Sequence, residues 1–466
     1  MGVLMKTILY FMAFFTLLQA GELQILRLDR AQFVEKALQA DPQVQELLHA
    51  NDKKKMRPAS LKADAILPKF EVSMAFGPSP GLKTMEDESG DTISVWDFTK
   101  MGPYFGTEIK VAQPLNFGQL LTGLEAARAD IYQAESDVDM KLLQKQQEYL
   151  QYYYGYVMAL EFVRLSEEAI RQLGRAEKRL IALKEAQEKA EEEEEEYEGP
   201  TVSQNDILEI RASRFELDKA SSDAHSGLRK AQIALHFALD LPDSIRFETM
   251  DTLLLPLEQS IPTLDSLNNL LGQVHPDLAR LQQGLKALNA QARLEESKMG
   301  PEFFLFGSFK YAKSWAGDRR TLSSDAFVRD PVNTLTGSFG LGLRYRLNFW
   351  SAREKARMAR TEWRGLRYKD TYARRGLEAK LAASYADWQA NKEKLESATT
   401  SLRATEALLK AQAIRYDLDP SESPKLISAY RRHLAMQKDY LYSVYNYNLS
   451  VGDLFAKVGK MEFQKQ

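Results

Sequence analysis

The chain states its plan twice. Asp41-Pro42 returns as His275-Pro276, Pro68 as Pro301, and Leu115-Asn116-Phe117 as Leu347-Asn348-Phe349, at offsets of 234, 233 and 232. Three separated landmarks at a near-constant offset define one large unit that was duplicated and fused, because the period is far longer than that of a solenoid repeat. The first repeat spans 21–263 and the second 264–466, and a chain of this kind folds into a pseudo-symmetric object. A mean hydropathy of -0.40 and 27% charged residues exclude a polytopic helical membrane protein. There is no cysteine, hence no disulfide and no lipid-anchor thiol, and a net charge of -3 leaves no general nucleic-acid footprint.

The N-terminus reads as a secretory signal peptide over 1–20. Lys6 precedes an apolar core from Thr7 to Leu18, and small Ala20 closes it. Twelve residues span only ~18 Å as a helix, too short for a ~30 Å hydrocarbon core. Each repeat then opens with Leu-Asp and a helical pattern, at Leu28-Asp29 and Leu264-Asp265, where the Asp is placed to cap the helix. The residue before a proline avoids the α region, so Asp41-Pro42 and His275-Pro276 end these helices. A second helix follows over 42–65 and 276–299.

The period then changes from 3.6 to 2. Phe70, Val72, Met74 and Phe76 alternate with small or polar residues, as do Phe105, Thr107, Ile109 and Val111. Strands are expected at about 67–77 and 104–115 in the first repeat, and at about 302–312 and 335–348 in the second. Their length of roughly ten residues suits a membrane-spanning β-strand. Long polar loops over 77–103 and 312–334 would join them. Gly340 and Gly342, alternating with Phe339, Leu341 and Leu343, keep one face of the last strand bare and the other apolar. Four such strands cannot close a barrel, since bacterial single-chain barrels start at eight, and an open edge in lipid leaves backbone groups unsatisfied. The edges must pair with other copies. Two copies make eight strands and three make twelve, and the residues do not choose between them.

Very long helices follow, at about 118–189 and 351–416, or ~108 and ~99 Å at 1.5 Å per residue. No proline interrupts either, and each ends at a break: a first tip at 190–202 and a second at 417–424. Returning helices occupy 203–239 and 425–457. The incoming and returning helices together sum to ~90 Å, so two short helices fit beside one long one. The first hairpin is longer by an insertion that coincides with the acidic run Glu191–Glu196.

This combination resembles the TolC-like outer-membrane factors, the outer membrane efflux proteins of tripartite efflux and type I secretion systems. The residues that carry the resemblance are Leu28-Asp29 with Asp41-Pro42, Leu67-Pro68 before a strand, Gln113-Pro114-Leu115-Asn116-Phe117-Gly118 at the strand-to-helix junction, and Ser203 to Ala212 at the start of the returning helix. It covers nearly the whole mature chain. It implies a mainly α fold with a β-barrel contribution: long antiparallel helices in an α-barrel, and four membrane strands per protomer in a trimeric twelve-stranded barrel. It implies the Gram-negative outer membrane with a large periplasmic extension. It also implies a homotrimer in contact with outer-membrane lipid, a periplasmic adaptor (membrane fusion protein), and an inner-membrane RND or ABC-type pump. The family's aperture aspartates fall here on Lys425 and Ser428, so the second tip lacks them. At the first tip Asp206 and Glu209 have the equivalent spacing and are the acidic candidates, with the alternative that they serve the helix dipole. Gly199 and Pro200, and Asp417 and Asp419, flank the two turns.

Arg353, Arg357, Arg360, Arg364 and Arg367, spaced 4, 3, 4, 3, form one helical stripe just after the last strand. It reads as a basic lumen belt, a contact for anionic lipid headgroups, or a solvated face paired with carboxylates, Glu125 among the partners. Tyr149, Tyr152, Tyr153, Tyr154 and Tyr156, with Tyr440, Tyr442, Tyr445 and Tyr447, are expected between helices. Trp96, Phe98, Tyr104 and Trp350 are candidates for interfacial girdles. The five histidines lack ligand spacing, and no phosphate loop or nucleophile setting is present, so no enzyme, metal site or cofactor is expected. With the resemblance to the outer-membrane factors, the expected function is a passive exit duct gated at its helical tips. Its rivals are a periplasmic coiled-coil adaptor and a structural spacer.

Overall fold

The computed structural model describes residues 24–86, 88, 92–115, 117–193, 201–242, 245–316, 332–345, 347, 349–418 and 423–460. The signal peptide at 1–20, Gly199, Pro200 and Asp419 lie outside them, as do Glu194 to Glu196, part of the 312–334 loop and the side chain of Asp417. Each repeat has the same order of elements. The first runs β1 (Gln24–Leu28), α1 (Arg30–Ala40), α2 (Pro42–Ile66), β2 (Lys69–Glu86), β3 (Thr92–Pro114), α3 (Phe117–Glu192) and α4 (Gln204–Leu239). The second runs β4 (Ile245–Thr249), α5 (Leu264–Val274), α6 (Pro276–Ser297), β5 (Glu302–Ser314), β6 (Thr334–Arg344), α7 (Phe349–Leu418) and α8 (Ser423–Val458). Two compact units result: 49–136 with 279–372, and the remainder.

The first unit holds a four-stranded antiparallel sheet in the order β2-β3-β5-β6. Beneath it, the ends of four helices keep the same order. Leu61 of α2 lies against Gly123 of α3. Arg293 of α6 reaches Glu125 of α3 at 2.5 Å, and Leu366 of α7 lies against Gly284 of α6. Each strand thus stands over the helix that feeds it or leaves it. Glu125 does pair with an arginine of the other repeat, but the partner is Arg293 and not the α7 stripe.

The second unit is helical, around one core in which Phe33, Leu150, Tyr153, Leu235, Leu267, Leu271, Leu381, Val444 and Leu454 are fully or almost fully buried. Tyr149, Tyr154, Tyr156 and Tyr447 join it as packing residues. A two-stranded parallel sheet, β1 with β4, pairs Gln24 through Leu28 with Ile245 through Thr249 and places Phe247 against Phe33 at 5.7 Å between ring centroids. At five residues each, these strands carry too little alternation to be read from sequence.

Two sequence expectations change. The strands of the first repeat are longer than read: much of 77–103 is a β-ribbon and not a loop. Gly77, Pro78, Ser79 and Pro80 pair with Tyr104, Pro103, Gly102 and Met101, and the register shifts after Pro80. Because β2 is the edge strand of its sheet, its prolines cost little where the missing N–H would face outward. Trp96 is therefore a strand residue, opposite Leu82. Second, Asp29 caps α1 in a full capping box with Gln32, but its counterpart is Thr263, whose side chain accepts from the Ser266 N–H. Asp265 sits inside the first turn, where a carboxylate favours the helix dipole.

Candidate pore wall and hairpin tips

The register sorts the sheet into two unlike faces. Phe70, Val72, Met74 and Phe76 of β2 stand opposite Val111, Ile109, Thr107 and Phe105 of β3. These continue through Gly307, Phe309, Tyr311 and Lys313 of β5 to Phe339, Gly337 and Leu335 of β6, and Leu305 and Phe303 add Leu341 and Leu343. Most of these side chains are exposed, Phe339 at 93% and Phe76 at 75%. An extended apolar sheet face of this kind needs a nonaqueous neighbour. The opposite face carries Glu71, Ser73, Glu108, Lys110, Ser308, Lys310, Thr336 and Ser338, with a Ser308–Ser338 hydroxyl contact at 2.7 Å and a Lys110–Glu108 ion pair at 3.2 Å. Its bare glycines are paved by neighbours. The Phe304 ring occupies the space a Cβ on Gly342 would need, and Phe306 does the same at 3.2 Å over Gly340. The Arg344 guanidinium lies 5.1 Å from the Phe304 centroid.

At the other end of the long helices, both hairpins meet in a small apolar cluster. Leu180 of α3, Val202, Ile207 and Ile210 at the start of α4, Tyr416 of α7 and Ile427 of α8 are all buried there. Arg179 stacks over Tyr416 at 5.1 Å. Polar links tie the helices just above it. Glu177 of α3 accepts from Arg211 and Arg214 of α4, both at 2.9 Å, and Arg431 of α8 donates to Ser213 at 2.8 Å and contacts Glu216 at 3.2 Å. Those guanidinium partners hold the Glu177 carboxyl below its ordinary range, against the opposing effect of burial. Asp206 is committed to the cap: its Oδ2 accepts from the Ser203 N–H at 2.9 Å while Ser203 Oγ accepts from its own N–H. Glu209 is exposed on the next turn, as are Lys425 and Ser428 on α8. No cluster of three metal-ligating side chains occurs among the described residues.

Residues 267–418 match the model of the outer membrane efflux protein family. The match covers most of the second repeat. Solved structures resemble the chain along almost its whole length. The Neisseria gonorrhoeae MtrE outer membrane channel in its open state gives a TM-score of 0.68 at 14% identity, with 92% of this chain and 88% of that one covered. A membrane protein from Pseudomonas aeruginosa gives 0.67 at 14%, covering 92% and 93%. The Campylobacter jejuni CmeC outer membrane channel gives 0.66 at 14%, covering 94% and 87%. The fold is that of the TolC-like outer-membrane factors. A search of curated protein sequences finds no match.

Within this outer-membrane-factor fold the arginine stripe lies on α7 directly beneath β6. All five side chains are exposed. Arg357 pairs with Glu354 one turn earlier at 2.9 Å, Arg360 with Glu296 of α6, and Arg367 stacks on Trp363. Arg353 and Arg364 have no acidic partner among the described residues. The tip links through Glu177 and Arg431 escaped sequence reading altogether. Each is one charged residue on a long polar helix, and only the packing of α3, α4 and α8 gives it a partner.

Proposed function

We propose that the protein is an outer-membrane exit duct of a tripartite efflux or type I secretion system. The observation that carries this reading is the four-stranded sheet with one apolar face, one polar face and two unpaired edges, set over long helices. Three copies joined edge to edge form a twelve-stranded barrel with lipid outside and water inside, and the helices form the periplasmic wall. No helix among the described residues is long and apolar enough to cross a membrane, and the strands take that role. The duct is passive. Its tips close at rest and open when a periplasmic adaptor and an inner-membrane RND or ABC-type pump engage them. The Leu180–Ile427 cluster and its ion pairs hold the resting state, and Glu209, with Asp206 held in the cap, supplies negative charge at the aperture.

The test is fractionation with conductance. A heat-resistant trimer in the outer-membrane fraction, forming discrete channels in planar bilayers, is expected. A monomer in the soluble periplasmic fraction overturns the proposal. Neutralising both acids in D206N/E209Q is expected to weaken cation preference, and unchanged selectivity and resting conductance reject the acidic aperture alone.

A further inference from the structure

The side of the wall that the arginine stripe faces follows from chain geometry within the sheet-bearing unit. In β3 and β5 the odd-numbered residues form the apolar face. They are also the hydrogen-bonded pairs: Leu115 N donates to Phe303 O at 2.8 Å, and Trp315 N to Pro103 O at 2.9 Å. For an L-residue on an ascending strand whose side chain points to the viewer, N–H and C=O lie to the viewer's right. Viewed from the apolar face with β5 ascending, β3 is therefore on the right and β6 on the left. The helices below keep this order, so α7 has α6 on its right. Arg293 checks the order: it is nine positions from Gly284, or half a turn at about 100° per residue. It accordingly meets Glu125 of α3 on the far side of α6 from α7.

The α7 face turned to α6 consists of Ala352, Ala356, Ala359, Trp363 and Leu366, of which Ala356 and Ala359 are buried and Leu366 packs on Gly284. Each arginine of the stripe follows one of these residues by a single position, and so is rotated from it by about 100°. A right-handed helix that descends turns clockwise when seen from above. One such step leads from α6 toward the viewer, the apolar side of the wall. The stripe therefore faces outward, and the ion pair from Arg360 to Glu296 lies on that same outer side.

We infer that this stripe docks on anionic phospholipid headgroups at the periplasmic surface of the bilayer, an inference that rests on the duct reading for the membrane's position. Helical side chains lean toward the N-terminus, here toward the sheet. The headgroup layer is roughly 5–8 Å deep on each side of the hydrocarbon. Arg353 and Arg357, ~6 Å apart along the axis, sit within its reach, beside exposed Trp350. Arg364 and Arg367 lie ~10 Å or more below Arg357, beyond contact and near the limit of screening. The exposed Arg357–Glu354 pair is too weak to withhold Arg357 from a phosphate.

The test uses the full chain in phosphatidylcholine vesicles, with spin-labelled phosphatidylglycerol and spin-labelled phosphatidylcholine as probes of protein-bound lipid. The wild type is expected to prefer phosphatidylglycerol by on the order of five-fold, with the preference lost in 1 M salt. R353Q/R357Q removes most of it, R353K/R357K retains it, and R364Q/R367Q changes it little. Equal preference in R353Q/R357Q and wild type overturns the inference. So does a change in the pore's anion selectivity with lipid preference intact, which would place the stripe in the lumen. Absence of channel activity in the wild type would reject the duct while leaving the lipid preference to be read separately.

Discussion

Asp41 and His275 occupy equivalent positions and satisfy the same backbone with opposite chemistry. Each precedes a proline and is only 4% exposed, and each side chain accepts from the N–H two residues on. Asp41 Oδ1 takes Gln43 at 2.7 Å, and His275 Nδ1 takes Asp277 at 3.1 Å. Burial pushes the Asp41 carboxyl up, but Tyr149, Gln43, Lys145 and Val44 donate to it and together hold it below its ordinary 3.8. Its contribution to stability is complete above that value and is lost as the pH falls through the depressed one. Burial likewise lowers His275 below 6.5, so the neutral ring that accepts from Asp277 is favoured. Its contribution is complete above pH 6.5 and lost as the pH falls below it. The melting temperature should thus fall in two steps on acidification. His275→Asn is expected to shrink the upper step, the rest of which comes from His433, also lowered by burial, and Asp41→Asn to shrink the lower, which Glu148 and Glu177 share. Asp41→Ala is expected to cost about 2–3 kcal/mol at neutral pH, because it leaves the buried Tyr149 hydroxyl without its acceptor and removes one of the two carboxylates, Asp41 at 3.2 Å and Glu148 at 3.0 Å, that pair with the nearly buried Lys145. Denaturant midpoints between pH 3 and 8 check all three. The proline landmarks were legible in sequence because proline restricts its predecessor whatever the context. That Asp and His there are buried hydrogen-bond acceptors was not, since the chain that covers them is more than a hundred residues away: Tyr149 of α3 at Asp41, and Gly459 after α8 at His275.

Long elements were the most legible, and junctions the least. An uninterrupted polar-apolar pattern makes α3 and α7 readable across 76 and 70 residues. The β2–β3 ribbon was hidden because glycine and proline mark loops in general, and here they sit in a two-stranded edge where proline is tolerated. At the tips, the Glu-rich insertion drew attention, yet the hairpins are joined by the apolar cluster and by Arg431, which reaches Ser213 and Glu216. Leu180 is fully buried in the tip cluster. Leu180→Ala is expected to cost about 2–4 kcal/mol at that end. Limited trypsinolysis should then cut faster at Lys184 and Lys189, while the heat resistance of the sheet-borne oligomer stays unchanged. Equal loss at both ends would show that the tip is not a separate cooperative element. Glu177→Gln weakens two charge-assisted bonds at once and is expected to act in the same direction with smaller effect.

On the proposed duct reading, a single chain is one stave of a larger molecule, and its open surfaces are what neighbours would cover. Phe215, Ile233 and Phe237 on α4 are 72%, 70% and 82% exposed, and Met358, Tyr368 and Tyr372 form an open face on α7. On the geometry of the stripe, that α7 face points away from α6, where a next protomer's α2 would stand in the proposed ring. The sheet makes the same demand more sharply. β2 and β6 have neighbours on one side only, and in hydrocarbon each unpaired backbone group costs several kcal/mol. Joining β6 of one copy to β2 of the next satisfies both edges, and closure follows only when the copies form a ring. Two copies would give eight strands, whose side chains fill the interior, whereas three leave a lumen for the polar face with its Lys110, Lys310 and Glu108. The absence of native cysteine makes the test clean. Ser73→Cys or Ala75→Cys on β2, each combined with Thr336→Cys or Ser338→Cys on β6, places thiols on the polar face at both edges. Oxidation of the pair nearest in register is expected to give a ladder of linked chains ending at three, each single variant remaining uncrosslinked. A ladder ending at two would replace the twelve-stranded barrel with a closed eight-stranded one and remove the pore. No ladder from any pair would mean that the edges are covered by something other than this chain.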